Sequence, residues 1–191
     1  HYSSRRQRQM CIRDSDDSTY ENILHKTQRN VNALLSRAIS VTAASVAMHC
    51  VIIPQIMYPA TYNNMSNKEI ETLQVQIRKI FRKKVKNNAK NLPNEIIHGH
   101  KDFGGMGIDK LVDTINAARI KMIERFLHNK NMAHHIILGA IHRLRVYAKT
   151  SENPMDVTVC KYINPKPNMW LYHLKLWMEE RKVTFTNEVY T

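Results

Sequence analysis

From Ile23 to Leu144 the apolar residues recur at intervals of three and four and rarely alternate. That spacing places them on one side of a helix with 3.6 residues per turn and argues against a sheet. Ile23, Leu24, Thr27, Val31, Leu34, Leu35, Ala38 and Ile39 predict a first amphipathic helix, with Asp16, Asp17, Ser18 and Thr19 as start residues. Ser40 or Thr42 is expected to cap a second helix, apolar on most sides and therefore the central buried one. Pro54 is expected to kink or end it, and Tyr58-Pro59 to mark a second break. Its longest apolar stretch, Val41 to Ile53, is interrupted by Ser45 and His49, so no membrane span is expected.

Ser66-Asn67-Lys68-Glu69 reads as a capping box. The helix after it carries Ile70, Leu73, Ile77, Ile80 and Phe81 on one stripe, with Arg78, Lys79, Arg82, Lys83 and Lys86 on the opposite arc. Lys84 falls inside the apolar stripe, where the helix frays or the side chain reaches out past it. Asp109 is expected to cap a fourth helix through Ile115, Ile123 and Leu127. Asn129-Lys130-Asn131 breaks the pattern before a fifth helix with Ile137, Ile141 and Leu144. Beyond it, Val157-Thr158-Val159-Cys160 and Val183-Thr184-Phe185-Thr186 read as short strands on either side of a helix with Trp170, Leu171, Leu174, Trp177 and Met178.

With 29 Lys+Arg against 16 Asp+Glu, the formal charge is +13. An apolar content of 43% is too high for a disordered chain, and five glycines exclude collagen-like repeats. Cys11, Cys50 and Cys160 stand far apart with no CxxC, so neither a disulfide framework nor a zinc site is signalled. The excess cation calls for a polyanionic partner: nucleic acid first, an anionic membrane surface second, since residues 66–86 are both basic and amphipathic. An intracellular setting, cytoplasmic or nuclear, follows from that partner and from the cysteine usage.

Residues 1–15, with Arg5-Arg6-Gln7-Arg8-Gln9-Met10-Cys11-Ile12-Arg13-Asp14-Ser15, resemble an in-frame translation of a transposase-type sequencing-library adapter; the other reading is a natural basic tail. On the adapter reading they are set aside and the natural frame begins near Asp16, inside a longer protein whose N-terminal part is missing. They contribute +3 of the +13, leaving +10, so the basic character survives without them.

The strongest candidate site is the arc of Arg78, Lys79, Arg82, Lys83 and Lys86, with Lys90 beyond, because no acidic residue interrupts Thr72 to Asn94. Like charges in a block gain most when a phosphate backbone neutralises them, and such contacts position a duplex without reading its sequence. Phe103-Gly104-Gly105-Met106-Gly107-Ile108 is a tight connection in which Gly104, Gly105 and Gly107 form a structural turn; its amides are a lesser candidate for a phosphate. His98-Gly99-His100 and His134-His135 lack the third and fourth ligands that zinc needs, so no metal site is expected. Trp170, Tyr172, Lys175, Trp177, Arg181 and Lys182 interleave aromatic and basic residues, read first as a small aromatic core and second as a stacking platform for bases.

Taken in order, Val51-Ile52-Ile53-Pro54 with Tyr58, the basic helix Ile77-Arg78-Lys79-Ile80-Phe81-Arg82, Leu92-Pro93, Gly104-Gly105-Met106-Gly107-Ile108 and the helix ending at Leu127 form a pattern. Over residues 29–128 it resembles the post-palm, thumb-type region of reverse transcriptases from non-LTR retrotransposons. With the helical periodicity, the resemblance implies a mostly α fold with a thumb-like helical bundle over 16–128. Residues 129–191 lie outside the resemblance and read, from their own pattern, as a small post-thumb α/β appendage of unknown role. It implies a part of an RNA-directed DNA polymerase that holds the template–primer duplex beside a palm on the missing N-terminal part. In that family the palm carboxylates bind divalent metal, Mg2+, usually through an aromatic-x-Asp-Asp box. That box is absent here: Ser15 precedes Asp16-Asp17, which also lies too near the thumb-like helices. No cofactor and no polymerase activity are therefore expected of this chain alone. The reading from another class is a stand-alone basic helical module that binds or packages nucleic acid or serves as a scaffold.

Overall fold

The computed structural model describes residues 16–84, 92–129, 132–156, 158, 163 and 169–184. The chain divides into two units, His1–Asn63 with Lys68–Thr114 and Asn64–Asn67 with Ile115–Thr191. Among the described residues every regular element is helical and none is a strand, as a mostly α fold requires. Of the two expected strands, Val183 and Thr184 are irregular, while Val157, Val159, Cys160, Phe185 and Thr186 lie outside the described residues.

In the first unit, α1 (Asp16–Ser36) buries Ile23, Thr27 and Val31, one from each successive turn. Ser40 then starts α2 (Val41–Tyr62), its hydroxyl accepting the Ala43 amide at 3.1 Å. Neither proline ends this helix: the second break expected at Tyr58-Pro59 does not form, and the helix runs on through Pro54. Met48–Ile52 is a π-helical segment in which the Ile53 amide reaches back five residues to the Met48 carbonyl. The widened turn directly precedes Pro54, whose ring and missing N–H are what an α-helical ladder cannot accommodate. Pro59 sits inside the last α-helical stretch, and its carbonyl takes the Asn63 amide at 2.9 Å where the helix closes.

The π segment also sets which residues face inward. Ala44, Met48, Ile52, Ile56 and Ala60, every fourth residue, are buried. The other side is open, with Val46, Val51, Tyr58 and Tyr62 all more than half exposed. The helix thus packs by one face and is not the wholly buried element its composition suggests. It is 22 residues long, its most apolar 18-residue window has a mean hydropathy of 1.5, and it is thus long and apolar enough, by length and composition only, to cross a membrane. The polar interruption that argued otherwise is absorbed locally, since His49 Nδ1 donates to the Ser45 carbonyl at 2.9 Å. Asn30 on α1 and Gln55 on α2 join the two helices by a 2.7 Å side-chain bond.

Next, α3 (Asn67–Lys84) starts beside Ser66, where the capping signal places it, and turns Ile70, Leu73, Ile77, Ile80 and Phe81 into the core. Lys84 Nζ reaches out of that stripe to the Arg37 carbonyl just past the end of α1. A cation there satisfies a helix-terminal acceptor and opposes the negative end of the dipole. Short α4 (Asn94–His98) and a 3-10 turn (Lys101–Phe103) lead to the glycine connection and the start of α5 (Leu111–His128).

The second unit contains most of α5, then α6 (Met132–Ala148) and α7 (Trp170–Arg181), with α6 packed on α7. Leu171, Tyr172, Leu174, Lys175, Trp177 and Met178 are all buried, so α7 is interior over a wide arc. A polar chain crosses this unit. Asn67 Nδ2 donates to the His173 carbonyl at 3.1 Å, Asn116 Nδ2 donates to Asn67 Oδ1 at 3.2 Å, and Arg119 Nη1 donates to Asn116 Oδ1 at 3.3 Å.

Candidate nucleic-acid interface

The basic arc belongs to α3, and its members have different surroundings. Arg78 is half-buried and its guanidinium is paired with Glu71. Seven residues are two turns, so Glu71 lies in line with Arg78 on one flank of the helix. Arg82, on the same flank, is half-buried and donates Nη2 to Asn94 Oδ1 at 3.1 Å. Both arginines therefore serve the protein's own structure. The acid-free stretch that marked the arc opens at Thr72, one residue after the carboxylate that neutralises Arg78.

The lysines are turned about 100° round the helix from the arginine that each follows. Lys79 and Lys83 are exposed one turn apart, with the Lys79 ammonium resting on Gln76 Oε1 at 2.8 Å. Lys68, also exposed, lies outside the arc expected from sequence. It precedes Lys79 by eleven residues, three helical turns, so it falls on the same outward line. The cationic surface that α3 offers a partner is this lysine line, about 22 Å long at 1.5 Å per residue. Lys86 and Lys90 lie outside the described residues.

The glycine connection has little left to offer a phosphate. The amides of Gly104, Gly105, Met106, Gly107 and Ile108 donate to the carbonyls of Lys101, His100, Ile96, Gly99 and Ile97 at 2.8–3.1 Å. Gly104 (φ +80°) and Gly107 (φ +65°) are left-handed, which side chains disfavour. At Gly105 a Cβ would stand 2.1 Å from the Gly99 oxygen, so two backbones touch where only hydrogens fit. The helix start that follows is used as well, because the Leu111 amide is taken by Gln74 Oε1 at 2.7 Å rather than by the expected cap, Asp109.

Among the described residues no three His, Cys, Asp or Glu side chains converge. His98 Nδ1 donates to the Ile108 carbonyl at 2.7 Å and helps hold the glycine connection, while His100 Nδ1 lies 3.3 Å from an Asp102 oxygen. The rings of His134 and His135 meet edge-on, with centroids 5.5 Å apart. In the aromatic–basic cluster, Tyr172, Lys175 and Trp177 are buried, and Lys175 Nζ donates to the Met155 carbonyl at 2.8 Å. Those three are core residues, and Arg181 and Lys182 remain exposed at the end of α7.

Compared with known protein families, curated proteins and solved structures, the chain matches none.

Proposed function

We propose that this chain is the duplex-holding part of an RNA-directed DNA polymerase of the non-LTR retrotransposon type, binding the backbone of an RNA–DNA or DNA duplex through α3. The observation that carries the reading is the outward pair Lys79 and Lys83, with Lys68 in line, on the basic helix that precedes the Gly104–Ile108 box. In that family such a helix and box lie downstream of the palm. An uncompensated cationic line displaces counterions from phosphates and gives binding without base readout. The proposal concerns holding, not chemistry: the chain has no aromatic-x-Asp-Asp box, and its palm partner would supply the metal-binding carboxylates.

The test is titration of the full chain against a fluorescent RNA–DNA hybrid over a series of salt concentrations. The expected result is salt-sensitive binding with little sequence preference, weakened at least tenfold by K68E/K79E/K83E. Equal affinity of that triple variant and the parent would remove the assignment.

A further inference from the structure

The outward face of α6 is built unlike an ordinary solvated helix surface. Ile137, Ile141 and Leu144 face inward. At 100° per residue the opposite side carries Met132, Ile136 and Val146 among His135, His142 and Arg143. All six are exposed, the three apolar side chains to 80%, 64% and 63%. Lys149 follows at the helix end, also exposed. No aspartate or glutamate occurs between Glu124 and Glu152, a stretch that includes Arg125, Lys130, Arg143, Arg145 and Lys149.

Solvation does not require this combination, because charged and neutral polar side chains serve water better than exposed isoleucine and methionine. The charge specifies an anionic partner. The aliphatic residues interspersed with it specify one whose anionic groups lie directly over an apolar layer. A duplex backbone meets the first requirement and leaves Met132, Ile136 and Val146 wet. A bilayer meets both, with lipid phosphates at the height of the cations and the acyl boundary just beneath. We propose that this face of α6 seats on an anionic lipid membrane, Arg143 and Lys149 against the headgroups and the three aliphatic side chains below them. The proposal is independent of the duplex reading, which rests on α3.

The experiment is co-sedimentation of the full chain with vesicles of phosphatidylcholine alone and of phosphatidylcholine mixed with phosphatidylserine. Binding is expected only to the mixed vesicles. R143E/K149E should lower it more than about tenfold, since each cation near such a surface contributes about 1 kcal/mol. I136S/V146S, which leaves the charge intact and removes only exposed apolar groups, should weaken it by a similar factor. K79E/K83E should bind the vesicles like the parent. A far-UV spectrum matching the parent establishes that each variant is folded, and I136S/V146S decides the matter if the charge reversal unfolds. Absence of phosphatidylserine-dependent binding overturns the proposal. So does unchanged binding by I136S/V146S, or displacement of the chain from vesicles by duplex in the parent but not in R143E/K149E, which would make the face a nucleic-acid surface.

Discussion

Gln74 Oε1 accepts the backbone amide of Leu111 at 2.7 Å, so a side chain buried in α3 supplies the first acceptor of a helix that begins 37 positions later. The first amides of a helix have no partner within it, and Gln74 satisfies one of them inside the core. Its own Nε2 is buried without a hydrogen-bond partner. Gln74→Met keeps the volume, removes that orphan donor and strips the acceptor from Leu111. The missing cap outweighs the relief, and destabilisation of about 1–2 kcal/mol is expected in urea unfolding. A change below the error of the measurement would show that the Leu111 amide finds another acceptor.

The two glycines at the connection separate conformational strain from steric overlap. Gly104 is left-handed but a Cβ there meets nothing within 4 Å, so Gly104→Ala is expected to cost about 1–2 kcal/mol. Gly105→Ala drives a Cβ into the Gly99 backbone, which cannot swing aside as a side chain does. The expected loss is well above about 3 kcal/mol, in the range reserved for gross misfit. Comparable unfolding midpoints for the two variants would sink this account.

Much of this fold can be read locally. Ser40 and Ser66 mark helix starts, and Asn129 to Asn131 separates α5 from α6, because these signals act within one turn. The path of α2 is less legible. The proline rule assumes bonds four residues back, and the π segment before Pro54 changes that ladder. Gln74 as a cap is hidden because its partner is distant in sequence. The division of the basic arc is hidden for a related reason: pairing rules look three or four residues away, while Glu71 and Arg78 are two turns apart. Lys68 is obscured because the dense charge run begins only at Arg78, although the eleven-residue spacing to Lys79 carries the signal.

Arg119 places a cation in the second unit's core. It is 0% exposed, donates Nη2 to the Met65 carbonyl at 3.1 Å, and desolvation by burial lowers its pKa from the ordinary guanidinium value to about 10. A base whose folded pKa lies below its unfolded one weighs on the fold wherever both states are charged, that is, below about pH 10. That burden fades as pH rises above about 10 towards the ordinary guanidinium value, a range in which only the folded state has released its proton. The stability of the parent relative to Arg119→Met should thus be level from about pH 7 to pH 9 and shift towards the parent above about 10. A level difference throughout would show that the guanidinium stays charged.

The Glu71–Arg78 pair makes the nucleic-acid reading testable in both directions. Removing one cation that neutralises a phosphate should lower the slope of log affinity against log salt by about 0.9 on DNA duplex. Lys79→Ala with Lys83→Ala should therefore remove about 1.8 from that slope. Arg78→Ala should change it little, because Glu71 already neutralises the guanidinium. Glu71→Gln keeps the shape, frees Arg78 and deletes a negative charge beside the lysine line, so affinity should rise and the slope steepen by up to about 0.9. Glu71 is half-exposed, at 51%, although the Arg78 side chain is only 12% exposed. Gln keeps an oxygen that accepts from the guanidinium, so unfolding of Glu71→Gln should match the parent within about 1 kcal/mol. Tighter duplex binding without a stability change would tie the effect to charge at this face. If Glu71→Gln binds no better while Arg78→Ala binds as poorly as the lysine pair, the arginine flank is the contact surface and the assignment to the lysines is wrong.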